Sequence, residues 1–444
     1  MLSKNASSRF LYTLLALCVI AGLFGAPATS TTEIALADQG VFSTTVVPFT
    51  TSNTDLAQLG DVDFDIHFPI VLRPPAPNPH FGVEFEAGYY NNDTAIQKAS
   101  DAGVGWMRAG TFSWRDIEPT RYNPPVYNWS TVDEAALVKY AQKGFKVIAT
   151  VRFTPSWAQM YPPSTYCGPV ALAALDEFAQ FMRNLVARYS VPPYNILYWE
   201  IGNEPDVDPS LIPNNLDGPI GCWGDDSKTY YGGSYYATML KSVYPAIKAA
   251  NPNAKVMIGG LLMDCDPTHP PPGKTCQPTK FFEGIILGGG APYFDIVSFH
   301  GYGYYWYGAI EEEDNINWDD RGGLVLGKID FLKEIMAKYN VNKPIFHTET
   351  ALICHPYNTL ECNPPVADFY ETQADYVVWV FVRTWAAGVE NSIWYPMLNG
   401  WYYTGLLYSY TTPKPAYDAY RFITQKLIGA QYIRQVSLHT MLRT

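Results

Sequence analysis

Basic residues are scarce in this sequence: 30 Lys and Arg stand against 42 Asp and Glu, for a net charge of -12. A polyanionic partner needs a basic patch, so nucleic acid and anionic membrane surfaces are disfavoured. Long apolar runs are equally rare: Phe10 to Phe24 is short for a spanning helix, and no other segment could span a bilayer. No Gly-rich phosphate turn follows any early strand candidate, which counts against a doubly wound, dinucleotide-binding sheet. No Cys-x-x-Cys or paired His accompanies the cysteines, so their spacing does not suit a zinc site. Obvious internal repeats are lacking too. What is abundant is aromatic: 33 Tyr and 12 Trp bring the aromatic share to 15%. A neutral polymer fits this chemistry, because flat aromatic faces commonly hold sugar rings, although a Tyr-rich surface would give the same count.

The N-terminus carries Lys4 and Arg9, the apolar run and then Ala26-Pro27-Ala28. This reads as a secretory signal peptide over 1–28, with a retained anchor as the alternative. Of seven cysteines, Cys18 falls in that segment, leaving Cys167, Cys222, Cys265, Cys276, Cys354 and Cys362. An even set in an exported chain implies disulfides, with Cys265–Cys276 and Cys354–Cys362 close in sequence and Cys167–Cys222 remaining; free buried thiols are the alternative. Residues 29–79 are rich in Ser, Thr and Pro and read as a linker, in which Phe64 to Leu72 is apolar enough to lie as a strand against the main domain.

From His80 onward short apolar runs alternate with helical stretches. Strand candidates are Phe81 to Phe85, Gly105 to Arg108, Lys146 to Arg152, Ile196 to Glu200 running on to Glu204, Lys255 to Gly259, Phe294 to His300, Pro344 to Glu349 and Ser392 to Tyr395. Repeated βα units of this kind predict an α/β fold, a (β/α)8 TIM barrel forming a single catalytic domain over 80–428, with a short tail or truncated junction over 429–444.

Chemistry in such a barrel sits at the C-terminal ends of the strands. There two strings stand out, Trp199-Glu200-Ile201-Gly202-Asn203-Glu204-Pro205 and Phe346-His347-Thr348-Glu349-Thr350. Two carboxylates facing each other suit glycosidic bond cleavage, one protonating the leaving oxygen and the other attacking the anomeric carbon. Period-2 alternation predicts that Glu200, Gly202 and Glu204 share a face, with Glu200 deeper and paired with Arg108 or Arg152. By the same rule Ser298, His300 and Tyr302 share a face, as do Ile345, His347 and Glu349, so that Tyr302 would reach Glu349. His347 reads as a hydrogen-bonded core histidine.

These residues resemble retaining glycoside hydrolases of clan A, the group that includes families 5 and 39. The likeness covers roughly His80 to Thr424 and rests on Asn203-Glu204-Pro205 after strand four, Glu349 ending strand seven, Arg108 on strand two, His300-Gly301-Tyr302 on strand six and Trp394 on strand eight. Val151-Arg152-Phe153 stands where family 5 carries a His, which places the chain nearer family 39, as does Pro413-Lys414-Pro415-Ala416-Tyr417 before the last helix. Many family 39 relatives continue into a β-sandwich, and Gln431 to Leu438 would suit its first strand. The resemblance implies Glu204 as acid/base, kept protonated by a less polar setting and the nearby charge of Glu349, and Glu349 as nucleophile. Arg108 and Tyr302 would hold Glu349, Asn203 would bond the sugar 2-hydroxyl, and Trp394 would stack under the sugar. His300 and Trp157 complete the expected supporting set. No cofactor and no catalytic metal are implied, and Glu311-Glu312-Glu313-Asp314 reads as a solvated acidic surface, with cation binding as the alternative. The aromatic stretches Tyr302 to Tyr307 and Trp401-Tyr402-Tyr403 would line subsites.

The expected partner is a carbohydrate, the expected location secreted or at the cell surface, with no membrane contact after signal removal; the residues leave oligomeric state open. A transglycosylase would share every residue named, and a non-catalytic carbohydrate-binding barrel would keep the aromatics but gain nothing from two intact carboxylates.

Overall fold

The computed structural model describes residues 80–433 except 87–89, 161–167, 208–221, 225–226, 307–308, 312–316, 356–360, 399 and 428–429. The signal peptide, the linker, Cys167, Glu312 to Asp314 and most of the tail therefore lie outside the described residues. Eight parallel strands form the barrel wall: β1 Phe81–Glu84, β2 Trp106–Ser113, β3 Lys146–Arg152, β4 Tyr198–Ile201, β5 Lys255–Ile258, β6 Val297–His300, β7 Ile345–Thr350 and β8 Asn391–Trp394. β1 pairs with both β2 and β8. Parallel bridges Met257–Ile296 and Leu261–Phe299 join the β5 and β6 stretches and complete the ring. The expected (β/α)8 architecture is what the chain adopts.

Helices cover the outside because parallel strands need crossovers, and each crossover must bury an apolar stripe on the sheet. In helix Leu175–Tyr189, Phe178, Phe181, Met182, Leu185, Val186 and Tyr189 recur at helical spacing and are all buried. Trp114, just past β2, receives this face, its ring 4.7 Å from that of Phe178. Each such side chain contributes about 1.5–3 kcal/mol on burial. Side-chain caps start several helices, as where Asp133 accepts from the Ala136 amide and Asn92 from the Ala95 amide. Inside the barrel, Trp106, Ile148, Met257, Ile296, Phe346 and Ile393 make a separate apolar plug with Tyr198. Trp106, Tyr198 and Phe346 lie at or next to the starts of their strands and Ile296 just ahead of β6, so the plug sits toward the bottom and leaves polar side chains to the C-terminal mouth.

The aromatic stretch after β6 forms a hairpin of Gly303–Trp306 and Ala309–Glu311, and Leu352–Ile353 adds a third, parallel strand beside the first. Tyr and Trp favour pleated surfaces, and this segment pairs with the chain just beyond Glu349. Among the described residues, no helix is long and apolar enough to cross a membrane.

Candidate active site

The chain leaves β4 through a sharp turn in which Gly202 has φ +86° and Glu204 φ +49°. The Glu204 amide donates to the Gly260 carbonyl at 3.1 Å, so the turn leans on the segment after β5. Two residues on, the buried Asp206 accepts from the amides of Leu262 and Met263 at 2.8 and 2.9 Å and ties the same two segments together. Burial pushes the Asp206 carboxyl up to about 6, against the pull of those two amides. Below the turn Glu200 lies fully buried and ion-paired with Arg108 at 2.7 Å, the arrangement expected from its depth.

β7 reaches the site by a different device. Phe299 lies opposite His347 but the next residue, His300, lies opposite Glu349; on the other side Ser392 faces His347 while Trp394 faces Thr350. β7 thus holds one extra residue near Thr348, a bulge that re-aims the side chains beyond it. Ile345, His347 and Glu349 therefore do not share a face, contrary to simple alternation. His347 instead stacks on Phe299 with ring centroids 4.5 Å apart and lies 3.2 Å from the Gly301 carbonyl oxygen. Burial holds its imidazole well below the ordinary histidine range, so it is a neutral packing residue. Glu349 turns inward.

Arg108 is the hub. Its buried guanidinium donates through Nε to Glu200 at 2.8 Å, through Nη2 to Asn203 Oδ1 at 2.5 Å, and through Nη1 both to Glu84 at 2.6 Å and to Glu349. The second oxygen of Glu349 accepts from the Tyr302 hydroxyl and lies 3.5 Å from His300 Nδ1. Burial alone would raise the Glu349 carboxyl, but His300, Arg108 and the Tyr302 hydrogen bond outweigh it and hold Glu349 below its ordinary range. Nδ1 of His300 is 2.8 Å from Glu204 Oε1. Burial opposes a charged imidazole there, yet the charges of Glu349 and Glu204 and the Glu204 hydrogen bond raise His300 overall. Gly260 makes this placement possible, since a Cβ on it would lie 2.0 Å from His300 Nε2.

Oxygens of Glu204 and Glu349 and a nitrogen of His300 all lie within 4.8 Å of one another. This is also the one grouping among the described residues that could hold a metal ion. Its members are already hydrogen-bonded to each other or to Tyr302 and Arg108, and the adjacent guanidinium opposes a cation.

Other expected residues fall in different places. Trp394 is fully buried, packs against Tyr376 of helix Ala367–Ala386 and donates its indole N–H to the Thr404 carbonyl at 2.9 Å. It offers no face to a sugar, because β8 is in the phase that turns this side chain outward. The following Tyr395 comes instead to the site, with its ring edge-on to Tyr302 and its hydroxyl 3.4 Å from Glu86. Trp157 packs edge-on to Trp114 and donates to the Glu118 carbonyl at 3.1 Å. Exposed Trp401 stands edge-on to Tyr302 at 6.3 Å. Disulfides join Cys265 to Cys276 and Cys354 to Cys362, with Cα separations of 5.2 and 5.3 Å. Cys222 is disulfide-bonded as well, its expected partner Cys167 lying outside the described residues. Glu84, Asp206 and Tyr395 were not singled out in the sequence. For Glu84 a signal existed, a carboxylate ending the first strand candidate.

No family model and no curated protein matches the sequence. Solved structures do resemble it. A family 39 glycoside hydrolase from Bacteroides cellulosilyticus WH2 aligns with TM-score 0.56 at 18% identity over 79% of this chain, which spans 64% of that one. A monomeric beta-xylosidase from Caulobacter crescentus CB15 aligns with TM-score 0.54 at 18% identity, covering 80% of this chain and 69% of the other. A glucosidase from Croceicoccus marinus gives 0.52 at 14% identity, covering 84% and 70%. At such identities the likeness establishes the (β/α)8 fold alone.

Proposed function

We propose that this chain is a secreted glycoside hydrolase that cleaves β-linked glycosides or plant-type polysaccharides with retention of configuration, as clan A enzymes do. The observation that carries the reading is the approach of Glu204 and Glu349, one oxygen of each lying within 4.8 Å of the other. Retaining pairs stand about 5–5.5 Å apart, whereas inverting pairs leave about 6.5–9.5 Å for a water. Glu349 is held ionised and oriented by Arg108, Tyr302 and His300, as a nucleophile requires. Glu204, hydrogen-bonded to His300 and facing Glu349, is the carboxyl placed to deliver a proton to the leaving oxygen.

In the first step a Glu349 oxygen bonds to the anomeric carbon as the bond from that carbon to the leaving oxygen breaks, and Glu204 supplies the proton. Water then attacks the same carbon, giving its proton to Glu204 and releasing Glu349. Asn203 spends its Oδ1 on Arg108, which leaves its amide N–H groups to bond the sugar hydroxyl beside the reacting carbon. The exposed ring of Trp401, beside Tyr302, suits the stacking role expected of Trp394. The disulfides fit an oxidising, extracellular setting.

The test is a panel of aryl β-glycosides with xylan, mannan and β-glucan, followed by NMR of the first-formed sugar. Release of the retained anomer is the expected result. Release of the inverted anomer, or no turnover across the panel, would reject this reading.

A further inference from the structure

Glu84 closes β1 directly opposite Arg108 on β2, and its backbone carbonyl accepts from the Met397 amide at 2.7 Å. Its side chain is 4% exposed. Glu200 and Asn203 already occupy the Nε and Nη2 side of the guanidinium. On the remaining side a single nitrogen, Nη1, serves both Glu84 and Glu349. A carboxylate that only anchored Arg108 would duplicate Glu200. Glu84 does something Glu200 cannot, because it draws on the same donor as the proposed nucleophile. Arg108, Tyr302 and His300 all withdraw charge from Glu349, which keeps it ionised but weakens its attack. A second carboxylate on Nη1 offsets that withdrawal.

We propose that Glu84 is a positioning residue for Glu349: by sharing Arg108 Nη1 it limits how much guanidinium charge Glu349 receives, and so sets how readily Glu349 bonds to and releases the sugar. This rests on the reading of Glu349 as nucleophile. The charged and titratable groups facing Glu84 are Arg108 from β2, Arg152 at the end of β3, Glu349 from β7, Tyr140 from helix Glu134–Gln142, Tyr90 after β1 and Tyr395 after β8. Burial is the main push that raises the Glu84 carboxyl to about 7, with Glu349 adding to it and Arg108 and Arg152 pulling against it. Below that pH Glu84 is neutral and Glu349 has the Nη1 charge largely to itself. Above it Glu84 is an anion, competes for the cation, and leaves Glu349 the stronger nucleophile.

Glu84→Gln keeps the shape and holds the site in its neutral form at every pH. The test compares kcat/KM of variant and wild type between about pH 5 and about pH 8 on an aryl glycoside whose good leaving group does not need the Glu204 proton. The expected loss is smallest at the acid end and several-fold larger at the alkaline end. A loss uniform with pH would make Glu84 merely structural and overturn the proposal. Should Glu84→Gln fail to fold, Glu84→Asp decides: the alkaline gain of the wild type persists if the charge matters, and its disappearance counts against the proposal. Carboxyl NMR on Glu-labelled protein needs no substrate. In the wild type the Glu349 resonance should change its chemical shift as Glu84 titrates near pH 7, a step that vanishes in Glu84→Gln, and a Glu349 resonance insensitive to Glu84 would overturn the sharing. Wild-type inactivity on every glycoside would defeat the glycosidase reading, whereas the NMR titration decides the sharing of Arg108 by itself.

Discussion

Replacing Arg108 with Met removes one buried cation and strands three carboxylates, Glu84, Glu200 and Glu349, whose side chains are 4%, 0% and 10% exposed. Breaking a buried ion pair by deleting one partner costs about 3–5 kcal/mol, because the remaining charge is left without compensation. The stranded groups escape part of that cost by taking up protons. Lifting one carboxyl about three units above its ordinary value costs about 4 kcal/mol at neutral pH, at about 1.36 kcal/mol per unit. In the variant these folded-state values lie above the unfolded ones, so stability is retained at low pH and lost as pH rises toward the raised values. Urea unfolding of both proteins near pH 5 and near pH 8 measures this, provided the m-values agree. Expected is a deficit of several kcal/mol at the alkaline end that shrinks by about 1 kcal/mol or more per pH unit on acidification. A deficit under about 1 kcal/mol, or one equal at both pH values, would refute the picture of Arg108 as the counter-charge to three buried acids.

Glu204→Ala is expected to keep the first step on glycosides with good leaving groups and to turn over slowly until azide is added, which should restore turnover as a glycosyl azide; full activity on a natural glycan would remove Glu204 from its role. Gly260→Ala puts a methyl 2.0 Å from His300 Nε2, so His300 must leave Glu204. Activity should fall by about 10-fold or more while the barrel melts as before, and unchanged kinetics would show that the His300 contact is dispensable. Burial lowers His80 from 6.5 to about 4. Its contribution is full above 6.5 and lost as pH falls toward 4, worth about 3 kcal/mol in all, and a His80→Phe variant should show a flatter stability profile over that window.

Much of the barrel was legible because each strand is a short apolar run and alternation is a local property of the chain. Lys146 to Arg152 matches β3 at both ends, and depth implied an ion-paired Glu200 but left Arg108 and Arg152 both open as its partner, a choice only the structure makes. The bulge on β7 was not legible, since one extra residue near Thr348 exists only relative to the registers of β6 and β8. It is the reason Glu349 points inward while His347 does not. The exchange of Trp394 for Tyr395 has the same origin in strand phase. Glu84 was visible as a residue but not as a partner, because what defines it is one nitrogen shared with a carboxylate 265 positions away (349 − 84). The hairpin Gly303–Trp306 with Ala309–Glu311 had the right composition, but its third strand comes from beyond Glu349.

The most direct test of the account traps the covalent intermediate. Whichever sugar the aryl panel identifies would be supplied as its 2-deoxy-2-fluoro analogue with an activated leaving group, which slows release of the enzyme-bound sugar more than its formation. Peptide mapping by mass spectrometry should then find one sugar on the peptide containing Glu349, and fragmentation should assign it to that residue. A label on Glu204, on Glu84 or elsewhere, or turnover of the parent glycoside with no label on any carboxylate, would contradict Glu349 as the nucleophile.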